Sequence, residues 1–221
     1  MDMGDIRKII ARRAAAEIRE GMIVNLGIGI PSLVPEFIPS TVSVYFQAEN
    51  GILGMGPEPL VNKDGNLSNA AGYPVSILPG GSYFDSAVSF GMIRSGYIDL
   101  SILGALEVSG KGDLANWIVP GKKVPGVGGA MELAYGAKNL IALMPHCDKN
   151  GKPKIVRKCS LPITTYHCVN KIITERAVFC IINNEELQLE EIMPGYNLAD
   201  IKNYTEAGFT ISQELITNKE A

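Results

Sequence analysis

Short apolar runs that stop at a glycine or a turn recur along this chain and constrain its fold more than any other feature. Several have the length and composition of buried strands: residues 22–26, 42–46, 75–78, 97–103 and 139–144. Between two of them, Pro79-Gly80-Gly81 is expected to turn the chain into a helix at residues 84–94. The alternation of strand, glycine turn, helix and strand favours parallel βαβ units. We therefore expect an α/β fold with a mostly parallel sheet flanked by helices.

The last third of the chain has a different pattern. Two apolar runs, 178–182 and 187–189, flank the turn residues Asn183 and Asn184, which predicts an antiparallel hairpin. A short helix at residues 200–207 and a strand at 209–211 are expected to follow. The sequence contains no linker, repeat or low-complexity segment, and 221 residues suffice for one ordinary domain. We expect a single domain over residues 1–221 with an antiparallel C-terminal part.

Charge and hydropathy argue against several classes of function. A formal net charge of −3 and a pI near 5.5 leave no basic footprint for nucleic acid or an anionic membrane. No apolar run approaches the roughly 18 residues that a membrane span needs, and the start of the chain lacks the apolar core of a signal peptide. The four cysteines form no CxxC pair, which suits reduced thiols. We expect a cytoplasmic protein with neither nucleic acid nor a membrane as a partner.

The segment from Gln47 to Pro57 carries the main candidate for chemistry. Glu49 follows the predicted strand at 42–46, and three glycines and a proline come after it in what we expect to be a loop. Ligands bind at the carboxyl ends of strands in an open α/β sheet, and glycines leave backbone N–H groups unshielded. Glu49 is therefore a candidate nucleophile or base. The alternative is a structural glutamate that caps a turn or pairs with an arginine.

Two further glycine-rich segments lie between strand-like and helix-like runs. Residues 126–130 present backbone N–H groups at a helix N-terminus, an arrangement that stabilises anions, although tight packing of helix on strand explains the glycines equally well. The earlier segment contains Gly27 and Gly29. It lacks the third glycine and the well-placed acidic residue of a dinucleotide-binding loop, which disfavours a Rossmann cofactor site.

Metal binding is disfavoured as well, although histidines and cysteines occur close together in the sequence. No two of them recur at the spacing of a zinc knuckle, and adjacent His-Cys pairs point to opposite faces of a strand. The residues concerned are His146, Cys147, Cys159, His167 and Cys168. We expect no metal site.

Taken in order, these motifs resemble the class I coenzyme A transferases. The resemblance covers nearly the whole chain and rests most on Glu49-Asn50-Gly51 followed by Gly54 and Gly56. The other matching segments are residues 25–31 (NLGIGIP), 112–117 (GDLANW), 120–122 (PGK), 126–133 (GVGGAMEL), 152–155 (KPKI) and 159–162 (CSLP). Within the family the chain is most similar to β subunits of the acetate- or butyrate–acetoacetate type and to the carboxyl half of single-chain succinyl-CoA:3-oxoacid enzymes.

The resemblance implies a fold and a reaction. The fold would be the broad one that CoA-transferases share with some sugar-phosphate isomerases. CoA would pass from an acyl thioester to a free acid by a ping-pong route through a glutamyl-CoA thioester on Glu49. By position, the Gly129 backbone N–H would stabilise the oxyanion and Asn50 would orient the glutamate. Residues expected to contact CoA or substrate are Gly27, Gly29, Gly51, Gly54, Gly128, Ala130 and Asn116. CoA is then a substrate, and no cofactor is expected.

The resemblance also implies a partner. Single-chain members of the family carry a second domain of similar size, and two-subunit members supply it as an α chain, which here predicts an α2β2 heterotetramer. The substrates would be an acyl-CoA and a short acid such as acetoacetate, acetate, butyrate or succinate. An exposed apolar face is expected where the α chain docks.

Two positions depart from the family pattern, and two other functions stay open. Tyr73 follows Asn-Ala-Ala-Gly where mitochondrial-type relatives carry a lysine that contacts CoA, so no lysine–phosphate contact is expected there. Thr165 stands where many relatives carry a glycine. The alternative functions are a non-catalytic assembly subunit and a sugar-phosphate isomerase of the same broad fold. The isomerase would need a basic or serine-rich phosphate loop, whereas the glycine loops here have aliphatic neighbours.

Overall fold

A ten-stranded sheet with helices on both faces is the framework of the protein. The computed structural model describes residues 2–121 and 126–215. The helices are α1 (Met3–Ala15), a 3₁₀ helix (Pro31–Phe37), α2 (Ser86–Arg94), α3 (Ala130–Gly136) and α4 (Leu198–Tyr204). The strands are β1 (Ile23–Leu26), β2 (Tyr45–Ala48), β3 (Ile52–Gly56), β4 (Ser76–Tyr83), β5 (Leu100–Gly104), β6 (Glu107–Ser109), β7 (Leu114–Ala115), β8 (Leu140–Leu143), β9 (Ile155–Val156), β10 (Lys171–Ile173), β11 (Ala177–Ile182), β12 (Glu186–Ile192) and β13 (Thr210–Ile211).

The centre of the sheet is parallel and its two sides are largely antiparallel. The strand order is β13-β12-β11-β10-β8-β5-β1-β2-β3-β4, and the five strands from β10 to β2 run parallel. Strands β11 and β12 form the antiparallel hairpin predicted for the C-terminal part, and β13 pairs parallel to β12. The predicted α/β fold with a mostly parallel sheet is therefore confirmed. Strands β6, β7 and β9 form a separate three-stranded sheet.

Strand β8 illustrates how both faces of the parallel sheet are covered. Leu140 packs on the side of α2 and α3 with Ile93 and Leu133, whereas its neighbour Ile141 packs on the side of α1 with Ile10. Successive side chains of a strand point to opposite faces, so both must be apolar when both faces are buried. This requirement explains the continuous apolar runs from which the parallel strands were predicted.

The segment after Glu49 differs from its prediction, because it is a strand and not a loop. Residues Ile52–Gly56 form β3, which pairs antiparallel with β2 and with β4. Strand β4 also runs through Pro79-Gly80-Gly81, where a turn into the helix was expected. Two glycines make this pairing possible: a Cβ on Gly54 would lie 2.9 Å from the Cα of Gly81. Two backbones approach more closely there than side chains would allow.

The helices of the described residues are short, and three of them begin at a side-chain cap: Asp2 for α1, Asp85 for α2 and Asn197 for α4. Helix α1 is the longest at 13 residues, and the predicted helix near residue 200 is α4, which begins with a capping box of Asn197 and Asp200. In residues 2–121 and 126–215 we find no helix of the length and apolar character that a membrane crossing requires.

Substitution of Gly51, in the β2–β3 turn, tests whether this hairpin requires a residue without a side chain there. Its φ is +123°, and a Cβ there would collide with the carbonyl oxygen of Phe84. We expect Gly51→Ala to lower the free energy of unfolding by more than about 2 kcal/mol in urea titrations. Gly91→Ala is the matched control, because Gly91 lies inside α2 with open space around it. It should stabilise the protein slightly, and equal effects of the two variants would contradict the assigned strain.

Candidate active site

A cleft of about 1630 Å³ opens at the carboxyl ends of the parallel strands. Such an edge is where open α/β sheets bind ligands. The lining comes from seven segments of the chain. They are residues 25–28 at the end of β1, 47–49 at the end of β2, 53–57 in and after β3, 78–81 in β4, 103–106 at the end of β5, 116–117 after β7 and 126–130 at the start of α3. The three glycine-rich segments that the sequence analysis selected therefore meet in one cleft.

Glu49 lines this cleft and lies directly after β2. It is half-buried, and its Oε2 accepts a hydrogen bond from Nδ2 of Asn25 at 3.2 Å. Glu49 makes no ion pair with any arginine or lysine of residues 2–121 and 126–215. The arginine pairing proposed as the structural alternative is therefore not what holds Glu49. A carboxylate that faces a large cleft without a counter-cation remains available to attack an electrophile.

Gly129 lies directly against this carboxylate. A Cβ on Gly129 would be 3.1 Å from Cγ and 3.3 Å from Oε1 of Glu49. Gly129 is the N-cap residue of α3 and is buried, and the preceding Gly128 has a φ of +56°. The absence of a side chain at residue 129 therefore lets the loop close over Glu49. The packing alternative was one of helix on strand, whereas the contact seen here joins the Gly129 loop to the Glu49 carboxylate. Anion stabilisation by Gly129 stays a prediction.

Asn25 is a site residue to which the sequence analysis assigned no role. Its side chain is only 1% exposed, and its Nδ2 faces the Glu49 carboxylate, the Oε1 of Gln47 at 2.6 Å and the backbone oxygen of Gln47 at 3.1 Å. Parallel pairing places Asn25 beside Gln47, because the two are register partners in β1 and β2. One signal was present in the sequence: an amide side chain in the middle of an otherwise apolar strand needs a polar partner.

The structure shows the Asn50 amide in another hydrogen bond, and its expected role in orienting Glu49 stays a prediction. Asn50 is exposed and its Nδ2 donates to the backbone oxygen of Ser68 at 2.8 Å. The amide that contacts Glu49 in the described structure is that of Asn25. Asn116 does line the cleft, where its Oδ1 accepts a hydrogen bond from Oγ1 of Thr164 at 2.7 Å.

The other residues predicted to bind substrate or CoA, five glycines and Ala130, divide into two groups. Gly27, Gly54, Gly128 and Ala130 line the cleft. Gly29 and Gly51 lie in the described chain but outside the cleft lining. For Gly51 the requirement is backbone geometry, since the Phe84 carbonyl occupies the space a side chain would need. Contact of any of these glycines with CoA stays a prediction.

The five histidine and cysteine residues considered as metal ligands do not line the cleft. His146 is completely buried between the hydroxyl groups of Thr174 and Thr205, and burial lowers the pKa of His146 to about 3. Burial raises the pKa of Cys159 and that of Cys168 to about 12. Within the described ranges, no cluster of three or more His, Cys, Asp or Glu residues is suited to a metal ion.

Lys154, from the KPKI segment, forms a hydrogen bond to the part of the cleft lining that follows β5. Its Nζ donates to the backbone oxygen of Ala105, a cleft residue, at 2.9 Å. Burial lowers the pKa of Lys154 from 10.5 to about 8, although the nearby Glu175 carboxylate opposes this shift. The lysine therefore stabilises the backbone of the cleft lining at Ala105.

The sequence of the chain matches that of known enzymes over almost its full length. The coenzyme A transferase family model matches residues 7–203. A probable coenzyme A transferase subunit beta of Bacillus subtilis (strain 168) is 55% identical over 206 residues, which cover 93% of this chain and 94% of that protein. The acetate CoA-transferase subunit beta of Escherichia coli (strain K12) is 46% identical over 215 residues, which cover 97% and 98% of the two chains.

A solved structure has the same fold. The acyl-CoA transferase of Escherichia coli O157:H7, in a thioester complex with CoA, matches with a TM-score of 0.67 and 25% sequence identity. The match covers 95% of this chain but only 42% of that longer chain. The family model and these relatives together define an enzyme that transfers CoA. The chain belongs to the coenzyme A transferase family, as its motifs predicted, and is a CoA-transferase.

The contact between Gly129 and Glu49 leads to a test. In Gly129→Ala the new methyl group would crowd the carboxylate, and a misplacement of about 1 Å in a reacting group can lower kcat by about 100-fold. We expect this loss with little change in melting temperature, measured on the same preparation. Gly104→Ala is the control, because a methyl group on this other cleft glycine would reach only ordinary contact, 3.6 Å from the Ile28 carbonyl. A destabilised Gly129→Ala enzyme with normal kcat would contradict the assignment.

Proposed function

We propose that the chain is the catalytic β subunit of an enzyme that transfers CoA between a short-chain acyl-CoA and a carboxylic acid through a glutamyl-CoA thioester on Glu49. The observation that carries this proposal is the position of Glu49. Its carboxylate faces a cleft large enough for an acyl-CoA, is held by the Asn25 amide and lies against Gly129. The thioester complex named for the E. coli acyl-CoA transferase supports the same chemistry.

Each step exchanges one acyl bond for another. The Glu49 carboxylate attacks the thioester carbonyl, the carbon–sulfur bond breaks, and a mixed acyl-glutamyl anhydride forms with release of CoA thiolate. The thiolate then attacks the glutamyl carbonyl, which expels the first carboxylate and leaves CoA in thioester linkage to Glu49. The acceptor acid reverses both steps. An ionised carboxylate needs no separate base to become a nucleophile, which suits a site whose nearest polar neighbour is an amide.

The tetrahedral state of each step carries a negative charge that must be stabilised. We assign this role to the backbone N–H of Gly129, because the loop that carries it closes over Glu49. In characterised enzymes such a donor contributes about 2.7–4 kcal/mol. The site must also exclude water, which would hydrolyse the anhydride.

An α-type subunit would complete the cleft. Two observations support this: the relatives compared above are named beta subunits, and the longer E. coli chain has more than half of its length outside the match. Apolar side chains are also exposed near the cleft, on the excursion between β3 and β4; they are Leu60, Val61 and Tyr73. We propose an α2β2 heterotetramer. The four free cysteines of this chain suit a reducing cytoplasm.

Short carboxylic acids are the proposed acceptors, with acetate favoured by the name of the E. coli relative and acetoacetate, butyrate and succinate retained. A single methylene changes binding by only about 1–3 kcal/mol, and part of the pocket would belong to the α chain. No specific observation favours the assembly subunit or the sugar-phosphate isomerase over this function.

The nucleophile can be identified by trapping. With acyl-CoA present and acceptor acid absent, borohydride should reduce the thioester and change the mass of the peptide that contains Glu49. Glu49→Ala should lower transferase kcat by about 1,000-fold or more, because the covalent route is lost. Glu36→Ala, at another carboxylate of the cleft lining, is the control and should stay active. Near-native turnover of Glu49→Ala would refute the nucleophile.

The need for a partner is tested by reconstitution. We expect the purified chain to show no CoA transfer alone and to gain activity when it is combined with an α-type subunit, because half of the cleft is then supplied. Activity should follow the amount of the heteromer on size-exclusion chromatography. Full turnover by the isolated chain, free of any second protein, would rule out the two-subunit proposal.

A further inference from the structure

Three buried polar side chains form a line that ends at Glu49. Ser89 in α2, Gln47 in β2 and Asn25 in β1 are 0%, 1% and 1% exposed. The Nε2 of Gln47 donates to Oγ of Ser89 at 2.8 Å, and the Nδ2 of Asn25 donates to Oε1 of Gln47 at 2.6 Å. The line thus runs from the helix, through the sheet, to the carboxylate in the cleft.

The hydrogen-bonding partners admit one orientation of both amides. The backbone oxygen of Gln47 and the carboxylate of Glu49 can only accept, so the atom of Asn25 that faces them must be the NH₂ nitrogen. The same nitrogen faces Gln47, which must therefore present its carbonyl oxygen to Asn25. The NH₂ group of Gln47 is then left to bond Ser89, as observed.

The Gln47 side chain supplies the shortest hydrogen bond that holds the Asn25 amide beside Glu49. The Asn25 NH₂ group has two hydrogens for three acceptors; the 2.6 Å bond to Oε1 of Gln47 uses one, and the other serves the backbone oxygen at 3.1 Å and Glu49 at 3.2 Å. The Oδ1 of Asn25 has no hydrogen-bond partner in the described structure. Without the Oε1 of Gln47, Asn25 would lose the shortest of its three hydrogen bonds, and its Nδ2 would be held only by the two longer ones, one of them to Glu49 itself.

We infer that Gln47 is a positioning residue for the Glu49 nucleophile, that it acts through Asn25, and that Ser89 anchors it to α2. The inference rests on the proposed function of Glu49. It predicts an effect on the chemical step, because Gln47 orients the group that attacks and, although it lines the cleft, is itself only 1% exposed. The KM for acyl-CoA should therefore change little while kcat falls.

The test uses the complex of this chain with its α-type subunit. Gln47→Met keeps the length of the side chain and removes both polar ends, and Ser89→Ala removes only the anchor. We expect the single-turnover rate of CoA attachment to Glu49, followed by mass spectrometry, to fall about 10- to 100-fold in Gln47→Met. Ser89→Ala should cause a smaller loss. Both rates are measured well below the melting temperature of each variant.

Ser101→Ala is the matched control. Ser101 is also a fully buried serine and is the register partner of Asn25 on its other side, in β5, but its hydroxyl has no partner in the described residues. Loss of that hydroxyl should leave the rate of CoA attachment unchanged. A loss of activity in Ser101→Ala equal to that in Ser89→Ala would mean that any change in this layer of the sheet suffices, and would overturn the inference.

A double-mutant cycle tests whether the effect passes through Asn25. In the Asn25→Ala background, Gln47→Met should cause little further loss of the attachment rate, because the group it positions is gone. Fully additive losses would overturn the inference, as would a normal rate in Gln47→Met. The wild-type complex separates this failure from failure of the proposed function: if CoA never attaches to Glu49 in the wild type, it is the covalent mechanism that fails.

Discussion

The parallel pairing of β1 with β2 is the interaction on which the site depends. It sets Asn25 beside Gln47 at hydrogen-bonding distance and leaves Glu49 one residue past the end of β2, at the same edge of the sheet. A shift of one residue in this register would turn the amide of Asn25 to the opposite face. The apolar residues that bury both faces of the sheet therefore also determine where the carboxylate and its hydrogen-bond donor meet.

The antiparallel strands beside β2 limit how Glu49 can move. Because β3 pairs back on β2 from Ile52 to Ala48, only a short turn separates the glutamate from regular structure on both sides. The close approach of Gly54 to Gly81, and that of Gly51 to Phe84, allow this compact arrangement. A side chain in such a turn is held by backbone geometry before any ligand binds, which would reduce the reorganisation needed during the reaction proposed for Glu49.

The sequence predicted those parts of the fold and the candidate site that depend on residues close together along the chain. Apolar runs with glycine at their ends predicted the parallel strands, and Glu49 with its following glycines indicated the site. Contacts between distant segments left no such signal: neither the 3.2 Å bond from Asn25 to Glu49 nor the position of Gly129 over its carboxylate follows from spacing along the chain. Strands β3 and β4 were missed because their glycines and proline resemble a loop, whereas pairing across the sheet overrides that local preference.

The central claim is that Glu49 is bonded covalently to CoA and, in turn, to the acyl group of each acid. It is tested most directly with oxygen isotopes. When the assembled enzyme carries out exchange with acceptor acid labelled with ¹⁸O in its carboxylate, the anhydride passes one labelled oxygen to the enzyme each time it resolves towards acyl-CoA. The account predicts that ¹⁸O accumulates in the Glu49 carboxylate, seen as a mass increase confined to its peptide after many turnovers. Sustained turnover that leaves this peptide unlabelled would contradict the account.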